Sequence, residues 1–119
     1  MSPTPDTTPA PSADASVRSS GPLFNLGQIV ATPGALALLA RHGNGPEHFL
    51  SRHVCGDWGD VPREDALANN AALGDDTRIL SSYWVQGDGQ DQREKLWLIT
   101  DAGHRSGITV TTLLCPSEY

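Results

Sequence analysis

The stretch "RILSSYWVQGDGQDQREKLWLIT", residues 78–100, holds two runs of branched and aromatic residues. Residues 78–86 and 95–100 are therefore predicted strands. The Gly- and Asp-rich link between them is long for a hairpin, and links of this kind are typically mobile and variable. A third strand is predicted at 108–114, because Pro116 cannot donate to a ladder and ends it. Three successive strands with hairpin-length links predict an antiparallel meander.

Upstream of the meander, the sequence predicts one strand and three helices. The strand covers 26–32, and Thr32 with Pro33 is the usual N-cap and first position of a helix that runs to Gly43. A second helix runs from Pro46 to Gly56, and a third from about Pro62 to Gly74. The residues predicted to face the core are Leu36, Leu38, Leu39 and Ala40 in the first helix, Phe49, Leu50, His53 and Val54 in the second, and Ala66, Leu67, Asn70 and Ala71 in the third.

Together these elements predict a small two-layer α+β domain, with about three helices packed on one face of an antiparallel sheet of three to four strands. The first strand is expected at an edge of that sheet. A single domain is expected over residues 22–119, which is long enough for one modest core. Residues 1–21 are mostly Pro, Ser, Thr, Ala and Asp, so they are predicted to be a disordered tail.

The composition of the chain indicates its cellular compartment and the class of partner that it could bind. The tail lacks the apolar region of a secretory signal, and no run reaches the length of a membrane helix. Cys55 and Cys115 are the only cysteines and are expected to be reduced thiols in a cytoplasm. The formal net charge is −6, which argues against direct binding to nucleic-acid phosphates. No phosphate loop or nucleophile-elbow serine motif is present, and no cofactor is expected.

The negative charge is concentrated in one segment. Residues 57–76 hold six acidic residues and one basic residue, whereas the rest of the body is neutral. We call these acids the acidic strip; they are Asp57, Asp60, Glu64, Asp65, Asp75 and Asp76. Such a strip would steer a basic protein partner, and Asp57, Trp58, Asp60, Glu64 and Asp65 are the predicted contact residues.

The strip begins inside "HVCGDWGD", residues 53–60, whose side chains are of the types that bind metals. His53, Asp57 and Asp60 could hold a divalent ion that favours hard ligands. The alternative, which we favour, is a core histidine at a helix end, with the acids serving the next helix. Trp58 is either a core residue or an exposed anchor for a partner, and the core is favoured. Cys55 lies about 200° round the helix from His53, so it is predicted to be a buried apolar residue and not a nucleophile.

A second candidate is the loop "TDAGHRSG", which holds His104 and Arg105 between two strands. These residue types suit anion binding or acid–base chemistry. An ordinary polar turn accounts for them equally well. A functional role would be favoured if His53 or the two aspartates lay near His104.

The blocks "LGQIVATPGALALLARHG", "FLSRHVCGDWGD", "RILSSY", "LWLIT" and "TTLLCPSEY" resemble a family of short proteins from plasmids and integrated mobile elements of proteobacteria. The resemblance runs from about Leu23 to Tyr119, although the loop "DAGHRSGITV" is longer than the link usual there. Some members carry the label of a type I restriction-modification methylation subunit. The chain has neither a Gly-rich cofactor turn after a strand nor an Asn/Asp-Pro-Pro-aromatic stretch, so the label would describe genomic company or an interaction.

Three functional hypotheses follow. The leading one is a small non-enzymatic accessory protein of mobile elements that binds another, basic protein through the acidic strip. The second is a small metal-dependent hydrolase that uses His53, Asp57 and Asp60 with His104. The third is a structural or oligomer-forming domain.

Overall fold

A computed structural model describes residues 21–86 and 93–119 of the chain. The predicted disordered tail and the predicted mobile link lie outside these residues, except at their last positions. The elements, in order, are β1 (Gln28–Ala31), α1 (Pro33–Arg41), α2 (Pro46–Val54), α3 (Arg63–Asp75), β2 (Ile79–Val85), β3 (Glu94–Thr100), β4 (Val110–Leu114) and a short 3-10 turn at Pro116–Glu118.

The sheet has four strands in the order β1-β4-β3-β2. Strands β2, β3 and β4 pair antiparallel, which confirms the meander. Strand β1 lies at an edge, as predicted, and it pairs parallel with β4. The sheet is therefore mixed. After β1 the chain passes through the three helices and enters the meander at β2, and the last strand of the meander, β4, then pairs with β1.

The helices cover one face of the sheet, which confirms the predicted α+β class. The main core joins α1 and α2 to the inward side chains of the strands; its members are Ala35, Leu38, Leu39, Phe49, Tyr83, Val85, Leu96, Leu98 and Leu113. A second cluster lies under α3 and contains Phe24, Trp58, Ala72 and Ile79. Among the described residues, no helix combines the length and the apolar composition that a membrane span requires.

The inward faces of two helices differ from the prediction. In α1, Ala35 is buried on the inward face, whereas Leu36, which was predicted to lie there, is 56% exposed. In α3, Asn69 and Ala72 are buried, whereas Leu67 is 55% exposed. The buried side of α3 is formed by Asn69, which hydrogen-bonds the sheet, together with Ala66, Ala72 and Leu73, so it lies about one residue position away from the predicted face.

Helix ends also depart slightly from their predicted glycines. The Thr32 hydroxyl accepts from the Ala35 N–H at 3.2 Å, which confirms the N-cap of α1. Helix α3 passes through Gly74 and ends at Asp75, and its C-cap, Asp76, takes the left-handed conformation with φ 61°. Aspartate tolerates this conformation better than most residues, and its side chain is used there, as described below.

Candidate functional site

The centre of the molecule is a chain of buried polar side chains that starts at His53. Its Nδ1 lies 2.5 Å from Ser81 Oγ and its Nε2 lies 2.8 Å from Thr100 Oγ1. Thr100 Oγ1 is 2.7 Å from Thr111 Oγ1, and the Thr111 hydroxyl bonds the Leu26 carbonyl at 2.7 Å. The four side chains are buried and belong to α2 and to three different strands. The chain of bonds therefore joins the helical layer to the width of the meander.

The direction of every bond in this chain follows from its last acceptor. A carbonyl only accepts, so the Thr111 hydroxyl donates to Leu26 and its oxygen accepts from Thr100. The Thr100 oxygen must then accept from the Nε2–H of His53. When the ring is neutral, His53 Nδ1 carries no proton and accepts from the Ser81 hydroxyl. Both nitrogens are then satisfied in a single tautomer.

Burial enforces the neutral form of His53. It lowers the pKa of the imidazole to about 3, and the nearby His104 is a smaller cause in the same direction. The Phe24 ring lies against both histidines, with centroid distances of 5.2 Å to His53 and 5.5 Å to His104. The two histidines are therefore close, as the hydrolase hypothesis requires, but an apolar ring packs against both of them.

Asp57 and Asp60 are each held by a cation. Arg52 Nε donates to Asp57 at 2.6 Å, and Lys95 lies 2.9 Å from Asp60. These hydrogen bonds hold the pKa of both carboxyls below their usual range. Both line an open cleft of about 430 Å³ with Arg52, Gly59, Tyr83 and Trp84. Across the described residues, no three His, Cys, Asp or Glu side chains are placed to hold a metal ion, so His53, Asp57 and Asp60 are not assembled as the metal hypothesis requires.

The link between α2 and α3 has a clear structural task. The Ser82 N–H donates to the Trp58 carbonyl at 3.0 Å, and the Asp60 N–H donates to the Ser82 carbonyl at 2.6 Å. The link thereby pairs with the outer edge of β2. Gly59 has φ +74°, and a Cβ there would lie 2.2 Å from the Ser82 carbonyl oxygen. Glycine is needed at this position because the two backbones approach so closely.

Trp58 is a core residue, as favoured, and its burial argues against its predicted role as a partner contact. It is 7% exposed, and its indole N–H donates to Asn70 Oδ1 at 3.1 Å. Its ring packs near those of Phe24 and His53. The prediction of a buried Cys55 is wrong, because this residue is exposed at the C-cap of α2. The C-cap residue lies past the last turn, where the buried face of the helix no longer continues.

The loop with His104 and Arg105 is anchored to the end of α3. Asp76 Oδ1 accepts from the N–H groups of Gly103 and Arg105 at 3.1 and 3.0 Å. The His104 ring is fully buried and its Nε2 donates to the Thr77 carbonyl at 2.8 Å. The Arg105 guanidinium donates to the Gly74 carbonyl at 2.8 Å. Both residues have structural partners here, so these contacts favour the polar-turn interpretation.

The remaining acids of the strip, Glu64, Asp65 and Asp75, lie on α3. No hydrogen bond or ion pair of their side chains occurs within the described residues. Glu64 and Asp65 occupy the first turn of α3, where the helix dipole favours them, as predicted. Unlike Asp57 and Asp60, these three carboxylates form no ion pair with a described lysine or arginine.

Sequence reasoning missed one exposed feature, the surface of Trp84. The residue is 41% exposed, and the Arg93 guanidinium and the Lys95 amine lie 4.1 and 4.8 Å from the centroid of its ring. Its indole N–H donates to Asp60 at 3.1 Å. Side chains alternate along a strand, so Trp84 points to the face of the sheet opposite to that of Tyr83 and Val85. This alternation could have predicted the exposure of Trp84 from the sequence.

No protein-family model, no curated protein and no solved structure matches this chain.

Proposed function

We propose that this is a small non-enzymatic accessory protein of mobile genetic elements, which acts in the cytoplasm by binding a basic protein partner. Proteins of host defence or restriction machinery are the partner class that the family resemblance suggests. The observation that carries the proposal is the exposed surface of α3, which bears an exposed leucine and three carboxylates that form no ion pair with any described residue.

The spacing of residues makes this face continuous. Glu64, Leu67, Ala71 and Asp75 follow one another at intervals of three and four residues, so they form one stripe along the helix. Leu67 is 55% exposed and Ala71 is also exposed. Apolar side chains framed by charge are typical of protein contact surfaces, in which the rim is polar and the centre excludes water. We call this stripe the α3 face; Asp65 lies beside its first turn, on another side of the helix.

Electrostatics favours a basic occupant for the α3 face. Asp57 and Asp60 are neutralised by Arg52 and Lys95, so the field of the strip comes chiefly from Glu64, Asp65 and Asp75. Unpaired surface charges act over roughly a Debye length, about 8 Å at physiological salt. They raise the rate of encounter with a cationic surface more than they raise the final affinity. Asp57 and Asp60 would then lie at the rim of the contact.

A photo-crosslinking amino acid at Leu67 tests the proposal in cells that carry the natural partner. We expect a discrete protein adduct, because Leu67 lies at the centre of the contact. The same crosslinker at Leu36, which is equally exposed on α1, is the control and should give none. With the purified partner, the association rate should fall steeply as salt rises from about 50 to about 300 mM, since screening weakens steering.

Charge reversal separates this contact from nonspecific capture. Glu64→Lys with Asp65→Lys should abolish the adduct, whereas Glu47→Lys with Asp101→Lys changes the net charge equally on other elements and should leave it intact. An adduct that survives the first pair, or a rate that ignores salt, would contradict the proposal.

A further inference from the structure

The two edges of the sheet differ in how their backbone groups are covered. The outer edge of β2 is covered by the link backbone at Trp58 and Asp60, and by the Asn69 amide, which both donates to and accepts from Leu80. Strand β1 at the opposite edge has β4 as its one neighbour in the described sheet. Proteins usually protect edges with charge, proline or cover, since a bare edge is a template for pairing. The strand QIVA contains no charged residue and no proline, and no described strand pairs with its outer edge.

The free edge of β1 presents a defined set of backbone groups. The N–H groups of Gln28 and Thr32 donate to Thr109 and Leu113 in the β4 segment, both at 3.0 Å. Because successive residues of a strand point their backbone groups to alternate sides, those of Ile29 and Ala31 point away from β4. The side chain of Ile29 is 48% exposed and that of Val30 is 38% exposed.

We propose that β1 pairs with β1 of a second copy of this chain, antiparallel about a two-fold axis at Val30. Ile29 then lies opposite Ala31 of the other copy, and the two pairs exchange four backbone hydrogen bonds. The pairing is complementary in size, because a large exposed side chain on one strand covers a small one on the other. Val30 meets its own counterpart on the opposite face. The result is one continuous eight-stranded sheet.

The charge distribution favours a second copy at this edge. A chain with a net charge of −6 repels itself, and among the described residues three of the carboxylates without an ion pair, Glu64, Asp65 and Asp75, lie on α3. Helix α3 packs against β2, at the edge farthest from β1. Strand β1 is uncharged, so pairing there brings two acidic chains together at the edge that is remote from α3. Each half of the dimer would still present its α3 face to solvent.

Sedimentation equilibrium of the full chain, from about 10 µM to about 1 mM, tests the proposal. This range suits the weak association expected of an interface below about 1,200 Å². We expect a monomer–dimer equilibrium. Ile29→Lys should weaken it at least about tenfold, because lysine is a natural guard of strand edges. Leu67→Lys, an equivalent change on α3, should leave it unaltered. A chain that stays monomeric throughout, or a dimer indifferent to Ile29→Lys, would overturn the proposal.

Hydrogen exchange locates the contact independently. The amides of Ile29 and Ala31 should gain protection as concentration rises, whereas the Val30 amide, which faces β4, should be protected at every concentration. Ile29→Pro removes an outward N–H without touching the β4 ladder, and it should also prevent pairing provided that circular dichroism shows a folded chain. If it does not fold, Ile29→Lys and the exchange data still decide. Dimerisation without protection at these two amides would contradict the edge contact.

Discussion

At the scale of the residue, His53 is of a type common in catalytic and metal sites, but here its side chain has a structural role. Both of its nitrogens are bonded within the core, in a chain whose directions are fixed from the Leu26 carbonyl back to Ser81. A nucleophile, base or metal ligand needs a nitrogen that is open to its substrate. The sequence predicted a core histidine here from the apolar spacing of α2. Its partners, Ser81 and Thr100, could not be predicted, because they come from strands far along the chain.

His53→Leu should destabilise the protein by about 2–4 kcal/mol, because it leaves Ser81 and Thr100 buried without their partner. The measurement is urea unfolding at pH 7. His48→Leu is the matched control, since His48 is an exposed histidine on the same helix, and it should cost well under 1 kcal/mol. Equal losses in the two variants would mean that the buried chain contributes no stability.

At the scale of the element, the edge of β2 explains why "HVCGDWGD" has its composition. Gly59 permits the close approach to Ser82, and Trp58 fills the core beneath the link. The start of this motif was predictable, because Gly56 lies next to the C-cap of α2 and the indole was expected in the core. The pairing with β2 was not, because a strand of the meander lies more than twenty residues away and nothing local encodes the register. The buried face of α3 was missed for the same reason.

Asn69 is the element-scale contact with the sharpest test. Its amide donates to the Leu80 carbonyl at 2.7 Å and accepts from the Leu80 N–H at 3.1 Å, as a neighbouring strand would. Asn69→Ala should cost about 1–3 kcal/mol, since both backbone groups lose their partner at the edge of the core. Hydrogen exchange should show faster loss at the Leu80 amide.

The Ser82 amide serves as the internal control for this variant. Its acceptor is the Trp58 carbonyl, which Asn69→Ala leaves in place. The Leu80 amide should therefore exchange faster relative to Ser82 than it does in the unaltered protein. Parallel acceleration of the two amides would show that the variant acts on global stability alone and that Asn69 does not guard the edge locally.

At the scale of the whole molecule, long-range contacts at both ends of the described chain position the layers. The Asn25 side chain donates to the His104 carbonyl at 2.9 Å, and Glu118 accepts from Thr32 at the start of α1. The class of fold was predictable from strand and helix patterns because these are local. The parallel pairing of β1 and the burial of His104 depend on contacts between distant segments, so they required the structure. The division of the acidic strip into paired and unpaired carboxylates also required it.

The buried histidine makes the stability of the whole molecule depend on pH. The pKa of His53 is about 3 in the folded state against 6.5 for a free histidine, so below pH 6.5 the unfolded chain takes up a proton that the folded chain refuses. The contribution of the neutral His53 to the free energy of unfolding is fully present above pH 6.5 and is lost as pH falls towards 3. We expect His53 alone to lower the free energy of unfolding by about 2 kcal/mol between pH 7 and pH 5.

Urea unfolding at the two pH values, in the unaltered protein and in His53→Gln, isolates this contribution. Glutamine does not titrate, so the variant should lose about 2 kcal/mol less than the unaltered protein over this interval. The carboxyls with lowered pKa, such as Asp57 and Asp76, act in the same direction but chiefly below pH 5, and they are common to both proteins. His48→Gln should keep the full dependence. If His53→Gln keeps it as well, the buried histidine is charged in the folded protein, and the tautomer assigned to it from its hydrogen bonds is wrong.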